Sequence, residues 1–276
     1  MSELRTLMTD FMLGESPRWH CERLWFSDWG AQKVIAVDLH GSSETIVRGS
    51  LTAPFCIDWL PDGRLVIISG QDGLLLRMEP DGSLVTHADL TVVSQKPWND
   101  IVVDGRGNAY VGNIGFDFPG GDFAPGIVAL VSPDGSVRQV ADGVAFPNGM
   151  VVTPDNSTLI VAESYANQLT SFDIAAHGGL SNRRVWAGLG DGVPDGICLD
   201  AEGAVWYGDV PNKRCVRVSK GGEVLQTVEL DLGCFACALG GADNKTLFMV
   251  AAEFPLNFAT ATGKVLACDV NTPAVG

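Results

Sequence analysis

Strand-forming runs bounded by tight turns recur along this chain with a long period, and helical periodicity is nearly absent. The segments "WLPDGRLVIISGQDGLLLRMEPDGSLVT", "VTPDNSTLIVAESYANQLTSFDI" and "LDAEGAVWYGDVPNKRCVRVSKGGEVLQTV" each read as strand, turn, strand, loop, strand, turn, strand. Second-strand anchors fall near Leu24, Leu65, Ala109, Leu159, Val205 and Leu247, 41 to 50 residues apart, which is the spacing of four-stranded propeller blades. The alternative with comparable strand density is a β-sandwich or barrel. We read the chain as all-β, a single six-bladed β-propeller domain over residues 1–276. The opening "LRTLMTD" has no blade of its own and is expected to complete the sheet of the sixth blade, tying the ring shut.

Composition narrows the function classes. The 276 residues are 46% hydrophobic, ample for a core, and 33 Gly and 14 Pro are spread along the chain with no linker between halves. Against 18 basic residues stand 33 acidic ones, a net charge of −15, the wrong sign for a phosphate backbone or an anionic membrane surface. Neither nucleic acid nor membrane is expected as a partner. The N-terminus lacks a basic start followed by an apolar core, and no stretch has the roughly eighteen uninterrupted apolar residues of a membrane span. The expectation is a soluble cytoplasmic protein, monomeric or weakly homo-oligomeric. Seven Cys is an odd number and suits free thiols; "CFAC" at 234–237 has no second pair and reads as buried strand. The four His show no paired spacing, and no G-x-S-x-G elbow is present, so neither a His-based zinc site nor covalent serine catalysis is expected.

The first strand of each unit carries the candidate chemistry. Counting back seven residues from the six turns at Glu22, Asp62, Arg106, Asp155, Glu202 and Asp243 lands on Glu15, Phe55, Asn99, Asn148, Asp195 and Ala236. Inner strands of a propeller run along its central channel, so residues in one register meet near one mouth. Glu15, Asn99, Asn148 and Asp195 would then form an all-oxygen set of two carboxylates and two amides, hard ligands that suit Ca²⁺ and, less readily, Mg²⁺ or Mn²⁺, with Zn²⁺ a further candidate. Read singly, "FPNGM" and "VPDGI" are ordinary turn sequences; the shared register is what raises them to a site.

The same residues carry a resemblance. "GESPRW" at Glu15, "PWNDIVVDGRG" at Asn99, "FPNGMVVTPDNSTLIVAES" at Asn148 and "PDGICLDAEGAVW" at Asp195 resemble the motifs of the SMP-30/gluconolactonase/luciferin-regenerating-enzyme family. That resemblance implies a six-bladed propeller with one axial divalent cation held by Glu15, Asn148 and Asp195, with Asn99 touching metal or substrate, and it implies lactone hydrolysis. Sugar-lactonase members carry an Arg two residues before the Asn that matches Asn99, where this chain has Pro97. The departure points away from a sugar-acid lactone.

Aromatic residues near the register point the same way. Trp98, Phe55, Phe116, Phe118 and Phe146 flank the candidate site, and Asn113 and Asp117 lie in or beside the Gly/Pro-rich excursion "GNIGFDFPGGDFAPG", which reads as a substrate loop. The expected substrate contacts are Asn99, Trp98, Asn113, Asp117, Phe55 and Phe146. The expected reaction is metal-assisted opening of a lactone or related ester less polar than gluconolactone, with Asp195 as base for the attacking water and Glu15 as a fixed ligand. Other readings of these parts are a non-catalytic metal-binding or interaction propeller, a strictosidine-synthase-like lyase, and an ester or phosphotriester hydrolase.

Overall fold

The turns open antiparallel hairpins, and each unit of four runs becomes one four-stranded sheet. The computed structural model describes residues 3–49, 51–257 and 259–275. Within them, six four-stranded sheets follow one another as blades, their innermost strands being Gly14–His20, Ile57–Trp59, Trp98–Val103, Pro147–Val152, Pro194–Leu199 and Gly233–Gly240. Each innermost strand touches that of the next blade, and the sixth touches the first, so the sheets close into a ring: a six-bladed β-propeller. Apart from two short 3₁₀ turns at Leu90–Val92 and Ser164–Ala166, the described residues contain no helix, and none long and apolar enough to cross a membrane.

Burial follows position in the blade. Second strands such as Leu65–Ser69 and Ala109–Asn113 are buried throughout, whereas outer strands such as Val137–Val144 are largely exposed. The apolar side chains of facing blades fill the wedges between them; Trp98, for example, packs with Val66, Ile68 and Leu75 of the second blade.

The N-terminal segment closes the ring as expected. Arg5–Phe11 pairs antiparallel with Gly263–Asp269 and supplies the outer strand of the sixth blade. Phe11 is buried with its ring centroid 4.9 Å from that of Phe26 in the first blade, a contact whose burial contributes roughly 1.5–3 kcal/mol. The closure therefore spans the first and last blades.

One irregularity recurs and aims the site. In the innermost strands of the third, fourth and fifth blades, two residues oppose a single partner, forming a bulge at Asn99–Asp100, Asn148–Gly149 and Asp195–Gly196. The first blade has the same bulge at Ser16–Pro17, directly after Glu15. Bulges of this kind re-aim side chains next to binding sites. They also force close passage between blades: a Cβ on Gly149 would lie 2.5 Å from the Ile197 nitrogen, and one on Gly196 would lie 2.1 Å from the Ala236 Cβ. Glycine is required at both positions.

Candidate active site

Glu15, Asn99, Asn148 and Asp195 line one cavity of about 330 Å³ at a mouth of the central channel. The bulges bring them there from four different blades. Asn99 Nδ2 donates to the Pro147 carbonyl at 3.3 Å and to Asn148 Oδ1 at 3.4 Å. Asn148 Nδ2 donates to Ser164 Oγ at 3.3 Å, and Ser164 Oγ donates to the Pro194 carbonyl at 2.7 Å. Both amide nitrogens are thus engaged by protein acceptors, which orients the amide oxygens.

The carboxylates are short of partners. Asp195 Oδ1 is buried without a hydrogen bond, and Glu15 Oε2 receives only a long one, 3.4 Å, from the Ser16 N–H. Burial pushes the Glu15 carboxyl well above its ordinary range, and the Asp195 and Asp100 carboxyls add to the shift. Asp195 moves the same way, first through burial and then through Asp100. Asp100, also raised by burial, lies beneath with Arg18 Nη2 3.6 Å from its Oδ1, and its Oδ2 accepts the Met150 N–H at 2.8 Å. Arg18 is shared in turn with Asp58. Asp100 and Asp58 thus share one guanidinium, and no basic side chain among the described residues lines the cavity beside Glu15 and Asp195.

A hard divalent cation fits such a set: it would partner the orphaned Asp195 oxygen and remove the penalty on both carboxylates. Among the described residues no group of three or more His, Cys, Asp or Glu side chains is placed to hold a metal ion. Any cation here would therefore depend on the amide oxygens of Asn99 and Asn148 beside the carboxylates of Glu15 and Asp195.

The cavity walls are apolar. Phe118, Phe146, Tyr165 and Ile114 line one side, and Leu13, Trp29, Pro54, Val210, Phe235, Phe254 and Leu256 line the other. Phe146 sits at φ 60°, a left-handed conformation that costs a residue with a Cβ on the order of 1–3 kcal/mol. Three hydrogen bonds hold it there: Ala145 N–H to Glu163 Oε2 at 2.6 Å, Ser164 N–H to the Phe146 carbonyl at 3.2 Å and Tyr165 N–H to the Ala145 carbonyl at 3.2 Å. Glu163 is in turn paired with Arg183 at 2.9 Å.

Four of the expected substrate contacts stand elsewhere. Trp98 and Phe55 are fully buried between blades, because neighbours along a strand point to opposite faces and the blade beyond needs filling. Asn113 is buried in the third blade, its Nδ2 donating to the Lys96 carbonyl at 2.7 Å and its Oδ1 accepting from Gly115 N–H at 3.1 Å. Asp117 is exposed and bridges to Lys96 at 2.9 Å. Of that group only Asn99 and Phe146 line the cavity. Register explains two further differences: Pro54 and Phe235 line the cavity in the second and sixth blades, not Phe55 and Ala236. The sixth-blade bulge accommodates one residue, Phe235, and the second-blade strand is only three residues long, so the count of seven slips by one. Ser164, Tyr165, Phe254 and Leu256 were not singled out from the sequence. The signal for the first two was available, since Glu163 pairs with Pro147 and so sets Ser164 and Tyr165 beside Phe146 and Ala145.

All seven cysteines are free, and Cys21 alone among them is exposed. "CFAC" is innermost strand of the sixth blade, with Cys237 Sγ 3.7 Å from Cys198 Sγ.

Known proteins agree with this architecture. The profile of the SMP-30/Gluconolactonase/LRE-like region matches residues 13–253. Regucalcin of Xenopus laevis is 30% identical over 255 residues, covering 88% of this chain and 84% of that protein. Pentonolactonase XacC of Haloferax volcanii is 26% identical over 294 residues, covering 96% and 97%. The solved structure of a calcium-binding protein, regucalcin, from Agrobacterium tumefaciens superposes with a TM-score of 0.82 at 20% identity, covering 99% of this chain and 96% of that one. With a match that includes all four polar residues of the cavity floor, this chain belongs to the SMP-30/Gluconolactonase/LRE-like family.

Proposed function

We propose that the protein is a divalent-metal-dependent lactonase acting on a lactone, or related ester, less polar than gluconolactone. The observation that carries this reading is the pair of under-partnered carboxylates, Glu15 buried and Asp195 with its Oδ1 buried, facing one apolar-walled cavity. The pentonolactonase relative supports the reaction class, and the calcium-binding regucalcin supports Ca²⁺ as the first metal to test.

Glu15, Asn148 and Asp195 would hold the cation, with Asn99 beside them. When bound, it would polarise the substrate carbonyl and acidify water. The chain's own residues do the rest. The Asp195 carboxylate accepts the proton of the attacking water. Ser164 fixes the Asn148 amide nitrogen, and Asn99 Nδ2 donates to its oxygen at 3.4 Å, so the two amides of the floor are held as a pair. The apolar walls exclude bulk water and strengthen the electrostatics of the floor. A polyol would find little to bond: the lining offers Asn99, Asn148, Ser164 and Tyr165 beside the two carboxylates, and among the described residues no basic side chain.

A panel of aliphatic and sugar lactones, assayed with and without chelator, tests the proposal. Turnover of aliphatic lactones that chelator abolishes and added metal restores is the expected result. Tight metal binding with no turnover on any member would favour the non-catalytic reading.

A further inference from the structure

The large apolar residues left exposed on this protein are not evenly scattered. Among the described ones, Phe123, Tyr165, Phe254 and Leu256 gather at the cavity mouth, the first three each at least half exposed. Exposed apolar surface continuous with a binding cavity marks where a ligand extends outward. On one side the rings are built into a wall: Tyr165 stacks on Phe146 with centroids 4.8 Å apart and planes 22° from parallel, and Phe123 lies 5.6 Å from Tyr165. Facing them from the loop after Thr246–Ala252 are Phe254 and Leu256, with Phe254 set against Phe235 at 6.5 Å.

The wall is tied to the polar floor through the chain itself. Phe146 is two residues from Asn148, and Tyr165 follows Ser164, whose hydroxyl receives the Asn148 amide. A group seated on the floor therefore has the ring stack beside it at a fixed offset. Among the described residues no basic side chain lines the walls, so an anionic substituent on the arm would find no cationic partner beside the ring stack.

We propose that the substrate carries an uncharged apolar arm, preferentially aryl, attached to the ring that is opened, and that this arm leaves the floor between the Phe146–Tyr165 stack and Phe254–Leu256. This rests on the lactonase reading but concerns a separate part of the site, which binding can probe without turnover. Aromatic faces favour a flat aryl arm over an alkyl chain of equal area. A small sugar lactone would leave both walls wet.

The test compares calorimetric binding of 2-pyrrolidinone and 5-phenyl-2-pyrrolidinone, unreactive lactams that mimic a bare and an aryl-bearing lactone, to the metal-loaded protein. The phenyl compound should bind at least tenfold more tightly. Tyr165→Ala and Phe254→Ala should each reduce that advantage by roughly three- to tenfold while leaving metal affinity unchanged, which also reports that the variants are folded. A phenyl compound that binds no tighter than the parent, or an advantage that survives in the double variant, overturns the proposal. If the preference for the phenyl lactam is present but no lactone is hydrolysed, the arm site stands and the lactonase reading falls.

Discussion

Asn148 is held by Ser164 across the hairpin: the amide donates to the Ser164 hydroxyl at 3.3 Å, and that hydroxyl donates onward to the Pro194 carbonyl at 2.7 Å in the next blade. The relay orients one polar residue of the floor and links two blades at the cavity. Ser164→Ala should therefore weaken metal binding by about tenfold, as loss of an orienting partner does. Stability should fall by only about 1 kcal/mol. Calorimetric metal titration beside thermal melting checks both, and unchanged metal affinity would remove Ser164 from the positioning role.

Asp195→Asn and Glu15→Gln should differ, although each removes one carboxylate from the floor. The amide at 195 can still coordinate through oxygen but cannot accept a proton, so kcat should fall by roughly a hundredfold or more with metal bound. Glu15→Gln should act through affinity and recover substantially in excess metal. Metal titration with parallel turnover separates them. Rescue of Asp195→Asn to near the wild-type rate would leave it only a ligand.

Deleting residues 1–10 removes most of Arg5–Phe11 and bares the edge of Gly263–Asp269. Cooperative loss of stability, with aggregation through the open edge, is expected. A truncated protein with an unchanged Tm would mean that closure does not depend on this strand.

The Glu163 carboxylate gives stability a defined pH dependence. Burial pushes its pKa up, but the Ala145 N–H, Thr170 and Arg183 outweigh that and leave it lowered. A group whose folded pKa is depressed stabilises the fold above its unfolded pKa, and that contribution is lost as pH falls through the folded value. The Tm gap between wild type and Glu163→Gln should thus be widest near neutrality and shrink below about pH 4.3. A gap that stays constant into acid would assign the effect to packing alone.

The ring was legible in the sequence because blade period and turn chemistry are local properties. Leu24, Leu65, Ala109, Leu159, Val205 and Leu247 all lie in second strands, as expected. The polar floor was legible for a related reason: in the third, fourth and fifth blades the same two-residue bulge keeps the register from turn to site constant. Where the bulge shortens, at Phe235, or the strand does, at Ile57–Trp59, the count fails. The walls were less legible. Trp98 and Asn99 are adjacent yet serve an inter-blade core and the cavity, a choice made by strand alternation about a bulge that composition does not reveal. Tyr165 and Phe254 reach the mouth only because the ring closes, bringing together loops far apart in sequence.

The most direct measurement is to strip the protein of metal and titrate Ca²⁺ back, following heat and aliphatic-lactone turnover in one experiment. Binding of one equivalent per chain, with turnover rising in step to saturation at that equivalent, is expected from the proposal that Glu15, Asn99, Asn148 and Asp195 hold a single cation. Full turnover by the stripped protein, or turnover indifferent to the bound equivalent, would contradict it.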